Sequence, residues 1–152
     1  MFKHKFSKYF FIISTLILSF ILFNFWTNEA SKSIKLLKNN IKINGNIIDL
    51  KISKNHSFGI ITLKIAHTNT KTFMPFVNEN LYPYAIKDSV AEIYHYISID
   101  LKKGMKVELD SDTRNINFYD KNKLLYSSEI TIISEESNVK FVKENSIIYK
   151  SE

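Results

Sequence analysis

The sequence predicts a mainly β domain that follows one N-terminal transmembrane helix. Two observations support this fold class. Residues 9–28 contain no charged residue and consist mostly of Phe, Ile and Leu. From residue 41 onward, apolar and polar residues mostly alternate in short segments separated by turn residues, which is typical of β-strands. We therefore expect a small β-barrel or sandwich, OB-like or SH3-like, with one short helix.

Residues 9–28 have the length of a membrane span. Twenty helical residues rise about 30 Å, which is the thickness of the hydrocarbon layer. The preceding residues include three lysines and no acid, so the positive-inside rule predicts a cytoplasmic N-terminus and an extracytoplasmic C-terminal domain. Tyr9 and Trp26 stand at the two ends of the run, where aromatic rings favour the headgroup region.

A cleaved secretory signal is the alternative for the same segment. Signal peptides have shorter apolar cores and end in small residues, whereas this run ends in the bulky Phe25 and Trp26. The pair Ser31 and Ser33 provides small residues only later. The pattern favours an uncleaved anchor in the inner membrane, with secretion after cleavage as the alternative.

Composition excludes several classes of site. The 152 residues contain no cysteine, which excludes disulfides, zinc ribbons, iron–sulfur clusters and thiol catalysis. Three isolated glycines exclude a phosphate-binding loop and a dinucleotide fingerprint. The net charge of +6 falls to +3 after residue 28, with Arg114 as the only arginine. We therefore predict no cofactor and no nucleic-acid partner.

The expected domains are the cytosolic tip and anchor at 1–28, a juxtamembrane helix or polar linker at 29–40, and the β domain at 41–152. The first strand spans about 41–52, with a phase change at Gly45 that predicts a β-bulge. A turn at 55–57 leads into the second strand, which begins near Phe58. Residues 71–76 are expected to add a third strand that ends near Pro75.

The rest of the domain predicts one helix and two hairpins. Ser89 and Glu92 have capping-box spacing and precede apolar residues at helical intervals, which predicts a helix near 89–97. A hairpin is expected over 99–109, with Gly104 at positive φ in its turn, and another over 116–126. The last strands are expected at 130–132 and 139–141.

Metal and catalytic motifs are weak. His56, His67 and His95 lack the short spacing of zinc ligands. The acidic segment 108–115 resembles the start of a calcium loop but has no glycine at the sixth position and no glutamate at the twelfth. We expect a solvated turn in which Arg114 offsets Asp110 or Asp112, and we predict no metal site.

The candidate docking surface is the aromatic loop Tyr82-Pro83-Tyr84. Six aromatic residues cluster between 73 and 96, and half or more of them are expected in the core. A loop that contains proline is harder to bury, and tyrosine rings are common at interfaces. Tyr82 and Tyr84 are therefore the predicted docking residues.

Two resemblances concern the same domain. Residues 94–107, with His95 and a Lys-x-Gly-x-x-Val turn, resemble part of the zinc endopeptidases that cut cell-wall peptides, but their other ligand pairs are missing here. More broadly, Asn-Gly-x-Ile in the first strand and Asn55 to Gly59 before the second are similar to small membrane-anchored envelope proteins of Bacteroidetes-type bacteria. That resemblance implies an envelope location and a β fold.

Two functions from different classes follow. The first is a membrane-tethered binding or accessory module that docks an envelope protein, peptide or glycan. The second is an envelope hydrolase with an unrecognised site. A cleft that joins His95 to two acids would favour the hydrolase, and the lack of a convergent catalytic motif favours the binding module.

Overall fold

A computed structural model describes the backbone of residues 3–77 and 80–149. It describes the side chains of residues 11, 13–28, 31–75 and 80–149. The chain divides into two compact units, Met1–Leu36 and Leu37–Glu152.

Helix α1, Lys3–Leu37, accounts for the described residues of the first unit, and its last residue, Leu37, belongs to the second. Its described apolar side chains are largely exposed, from Phe11 at 72% to Trp26 at 75%. Over the described residues, neither helix of the chain combines the length and hydropathy that crossing a bilayer requires. The transmembrane assignment of 9–28 thus stays a prediction, and the Tyr9 side chain lies outside the described residues. A juxtamembrane helix or a polar linker was predicted for residues 29–40, and residues 29–37 are helical.

The second unit is mainly β, as predicted, with one large antiparallel sheet and a short C-terminal helix. Its elements are β1 Lys42–Ile52, β2 Phe58–Thr68, β3 Thr72–Phe73, β4 Phe76–Val77, β5 Asn80–Leu81, β6 Tyr84–Lys87, β7 Val90–Tyr96, β8 Lys106–Asp110, β9 Asn115–Asp120, β10 Lys123–Glu129 and α2 Glu136–Asn145. Eight strands form the large sheet in the order β10-β9-β8-β1-β2-β7-β6-β3, and β4 pairs with β5.

The large sheet coils back on itself. His95 on β7 and Ser128 on β10 are five positions apart in the strand order, a separation of about 24 Å in a flat sheet. Nevertheless, His95 Nε2 lies 2.8 Å from Ser128 Oγ. The two strands therefore approach each other through side chains, and the sheet encloses the apolar residues of its inner face.

One apolar cluster fills the inner face of the sheet, and a second covers part of the outer face. The larger one fills the inner face with residues from six strands, among them Ile43, Ile61, Ile93, Val107 and Phe118. The smaller one lies where α2 packs on the opposite face. It includes Phe58, Ile60, Leu81, Tyr94, Val139 and Val142. The central strands are thus buried on both faces where α2 covers them.

Several local predictions are confirmed. The β1–β2 pair has a register shift between Asn44 and Gly45, where the phase change predicted a bulge. Strands β9 and β10 form the hairpin expected over 116–126. Gly104 has φ +88°, as its turn required.

The helix predicted near 89–97 is wrong. This segment is strand β7, and Asp88 and Ser89 form the two-residue turn that joins it to β6. Asp88 supplies the positive φ, at 56°, that such hairpins need. Residues 91–94 of β7 are all buried, including Glu92. Burial on both faces removes the alternation by which a strand is recognised, so apolar residues at helical spacing misled the prediction.

The hairpin predicted over 99–109 and the last two strands are also wrong. Residues 97–105 form turns that carry the chain from β7 to β8, and β8 pairs with β1 and β9. Ile99, predicted in a strand, is 95% exposed. Residues 139–141 belong to α2, and residues 130–133 contribute one isolated bridge. The third strand is shorter than expected, Thr72–Phe73.

Candidate functional site

The predicted docking residues Tyr82 and Tyr84 lie in the core. Tyr82 is 3% exposed and Tyr84 is fully buried. The two rings meet edge to face at 5.3 Å, and the Phe73 ring stacks on Tyr84 at 5.4 Å. Asn39 donates to the Tyr82 hydroxyl at 3.0 Å and accepts from the Tyr84 hydroxyl at 2.8 Å. This burial corrects the prediction of an exposed aromatic loop, since rings packed in this way present no docking surface.

The loop is buried because its backbone belongs to the sheet. The amide of Tyr94 donates to the carbonyl of Pro83 at 2.8 Å, which continues the pairing of β6 with β7. Burial is also the main cause that raises the pKa of the Tyr82 and Tyr84 hydroxyls. Both remain neutral hydrogen-bonding groups at physiological pH.

The three histidines do not converge. His56 lies in the exposed turn before β2, with φ 44°, and His67 is exposed on β2. His95 contacts Ser128, and burial lowers the pKa of its imidazole. Within the described part of the chain, no three His, Asp or Glu side chains are placed to hold a metal ion.

A cavity of about 250 Å³ lies beside His95, where the hydrolase cleft was predicted. Among its described lining residues the only acid is Glu135. The Glu135 carboxylate accepts from Asn55 at 2.6 Å and from Asn138 at 3.0 Å. The described residues therefore do not provide the combination of His95 with two acids.

The acidic turn after β8 is held by its own backbone. Asp110 accepts from the amide of Asp112 at 3.0 Å and pairs with Lys42 at 3.0 Å. Arg114 pairs with Glu129 at 2.7 Å. The prediction that Arg114 offsets Asp110 or Asp112 is therefore wrong, because β10 brings Glu129 opposite Asn115 and so next to Arg114.

The most distinctive surface is a row of polar side chains across five adjacent strands. Strand register aligns one residue from each of β2, β1, β8, β9 and β10. We call these residues the polar row: His67, Asn44, Glu108, Asn117 and Ser127. The neighbouring row contains Lys42, Asp110, Asn115 and Glu129.

A groove of about 530 Å³ follows these two rows. Most of its lining consists of polar residues of β1, β2, β8, β9 and the turns that adjoin them. It is lined by Lys42, Ile43, Asn44, His67, Thr68, Asn69, Glu108, Leu109, Asp110, Thr113, Asn115 and Asn117. Ile43 and Leu109 point their side chains into the core, where both are 2% exposed.

Hydrogen bonds within the groove fix the positions of its side chains. The Asn44 amide donates to Glu108 at 3.3 Å, and the Tyr119 hydroxyl donates to the same carboxylate at 2.9 Å. Asn117 accepts from Asn115 at 3.2 Å and from Ser127 at 2.6 Å. These hydrogen bonds form one group around the Glu108 carboxylate and another around the Asn117 amide oxygen.

The two carboxylates of the groove are ionised and paired. Hydrogen bonds from Lys106, at 2.7 Å, and from Tyr119 lower the pKa of Glu108. Burial alone would raise the pKa of Asp110, but Lys42 and the amides of Asp112 and Thr113 outweigh it and lower that pKa. The groove thus presents charge in neutralised pairs.

Sequence reasoning missed this surface because it depends on one long-range pairing. The alternation predicted that Lys42, Asn44, Glu108 and Asp110 share an outward orientation within their strands. Nothing in the sequence indicated that β8 lies beside β1, since it was expected to pair with residues 99–101. The frequency of asparagine at outward positions was the one available signal.

Comparison with known proteins adds no relative. No family model, no curated protein and no solved structure matches this chain.

Proposed function

We propose that this chain is a membrane-tethered binding or accessory protein of the cell envelope, whose extracytoplasmic β domain docks its partner in the polar groove. The groove is the observation that carries the proposal. The groove is concave and has a volume of about 530 Å³, and hydrogen bonds already hold its polar side chains in place. A preorganised surface binds at lower entropic cost than a mobile one. The OB-like or SH3-like barrel belongs to the same proposal, because OB-folds bind ligands on one face of their sheet.

The tether is the second part of the proposal. The run 9–28 is free of charge and follows a basic tip. Side chains such as Phe11, Phe20 and Trp26 are more than half exposed, and a lipid environment would cover them. A tether would keep the groove close to the membrane and raise its local concentration toward envelope partners.

Reporter fusions test the location. An enzyme that is active only outside the cytoplasm should be active when fused after Glu152 and inactive when fused after Lys8. This follows from retention of the basic N-terminus in the cytosol. The intact mass of the purified protein distinguishes anchor from signal, since loss of about the first thirty residues would show cleavage. The opposite fusion pattern would contradict the proposed topology.

Site-specific crosslinking in cells tests the docking surface. A photoreactive amino acid at Asn69, an exposed residue at the rim of the groove, should give an adduct with an envelope component. The same amino acid at Lys140, exposed on α2 outside the groove, is the control. Adducts formed at Lys140 and absent at Asn69 would place the docking surface elsewhere on the domain.

A further inference from the structure

We propose that the ligand of the groove is an uncharged oligosaccharide. This inference rests on the proposed function and specifies the ligand class of that site. It follows from the charge balance of the groove, the hydrogen-bonding groups that line it, and the pairing of the strands beneath it.

The charge balance favours an uncharged ligand. Lys42 and Asp110 form one ion pair at 3.0 Å, and Lys106 and Glu108 form another at 2.7 Å. Each carboxylate that lines the groove is thus paired with a lysine. A polyanion or polycation would have to break these pairs, whereas a neutral polar ligand leaves them intact.

The lining supplies hydrogen bonds of both kinds. Asn44, Asn115 and Asn117 each carry an acceptor oxygen and an amide with two N–H donors, and Thr113 carries a hydroxyl. Sugar hydroxyls also donate and accept, so each can pair with an amide in either direction and can donate to a carboxylate. The contact of Asn44 with Glu108 uses only one of the two Asn44 N–H groups.

The backbone beneath the groove disfavours a peptide. Asn44 on β1 pairs with His67 on one side and with Glu108 on the other. Glu108 on β8 pairs in turn with Asn117 on β9. Both edges of β1 and β8 are occupied here, so a peptide cannot add as a further strand. Recognition must come from side chains, and these are polar.

The shape of the row suits a chain of several sugars. The polar row crosses five strands, which is about 19 Å at the usual strand spacing. An extended oligosaccharide that lies across the strands would meet a new polar side chain at each of them. A single sugar would use only part of this length.

Titration of the purified full-length chain with defined probes tests the inference. The probes are chitotetraose and cellotetraose, which are uncharged, and tetragalacturonic acid, which is anionic. We expect saturable binding of at least one uncharged probe by calorimetry, and weaker binding of the acid. Equal or tighter binding of tetragalacturonic acid would overturn the inference, as would no binding of either uncharged sugar.

Matched variants place the binding in the groove. Asn44→Ala and Asn117→Ala should each weaken binding about ten-fold, because each removes hydrogen bonds made to the sugar. Asn80→Ala, an exposed asparagine outside the groove, should bind like the wild type. Asn44→Asp preserves the side-chain shape but lacks the amide N–H donors, so it should also weaken binding. A weakening shared by this variant is due to the lost donors and not to misfolding. Wild-type affinity in all three groove variants would overturn the site.

The two proposals fail in different ways. If Asn69 crosslinks to an envelope protein while neither uncharged sugar binds, the glycan inference fails and the binding function stands. If tetraalanine competes with the sugar for the groove, the groove also accepts a peptide and the assignment to a sugar is overturned. If the sugars bind in vitro but the Glu152 fusion is inactive, the ligand class stands and the envelope location fails.

Discussion

Replacing Gly59 with alanine is expected to lower the free energy of unfolding by about 3 kcal/mol or more, because the added methyl group has no space. A Cβ at this position would lie 2.2 Å from the carbonyl oxygen of Lys51 and 2.6 Å from Ile97 Cδ1. The Lys51 oxygen belongs to the neighbouring strand β1, and moving it disturbs the pairing of Ile52 with Gly59. The Ile97 methyl could rotate away, but the backbone oxygen cannot.

Gly104→Ala is the matched control for the Gly59 variant. No atom lies within 4 Å of a Cβ built on Gly104, so this substitution meets only the cost of positive φ. That cost is about 1–2 kcal/mol. Urea unfolding of the full-length chain, followed by the circular dichroism of the sheet, measures both. If Gly59→Ala unfolds at the same urea concentration as the wild type, β1 and β2 do not approach as closely as described.

Replacing Glu92 with alanine is expected to cost about 3–5 kcal/mol, because each buried donor left without an acceptor costs about 1–3 kcal/mol. The carboxylate is fully buried on β7 and accepts hydrogen bonds from the Tyr94 hydroxyl at 3.0 Å, the Ile147 amide at 2.8 Å and the Ser146 hydroxyl. Ser146 also accepts from the amide of Ile148 at 3.1 Å. Removing the acid leaves several buried donors without an acceptor and releases the segment after α2.

Glu92→Gln separates hydrogen bonding from shape. The glutamine keeps one acceptor oxygen and fills the same volume, so we expect a loss of about 1–2 kcal/mol. Thermal unfolding compares the two variants. Limited proteolysis near residue 146 should accelerate in Glu92→Ala before the sheet unfolds, since the carboxylate anchors that segment. Equal stability of both variants and the wild type would show that the network contributes nothing.

The parts of the fold that could be predicted are those set by local sequence. The bulge at Gly45, the start of β2 near Phe58 and the β9–β10 hairpin follow from alternation and turn residues close in the chain. Strand β7 could not be recognised, because burial on both faces hides the alternation. Helix α2 was missed because it is short and has only Val139 and Val142 as buried apolar residues.

The candidate site depended even less on local sequence and was therefore harder to predict. Tyr82 and Tyr84 were chosen for their residue type, but their burial also depends on Asn39, which lies 43 positions from Tyr82 and 45 from Tyr84 in the sequence. The groove combines outward residues of strands whose pairing no local pattern specifies. Residue type and orientation could be predicted, but the neighbours of each strand could not, because pairing is decided by the packing of the whole sheet.

The pairing of β8 with β1 also limits the order in which parts of the domain can fold. Asn44 and Glu108 are 64 positions apart, whereas β1 and β2 are consecutive in the chain and can pair before β8 is synthesised. Until then, one edge of β1 offers unpaired backbone groups to any other strand nearby. Contacts so distant in sequence form slowly. The groove is therefore one of the last surfaces to form, because it requires that chain synthesis has passed residue 117 and that β8 has inserted beside β1.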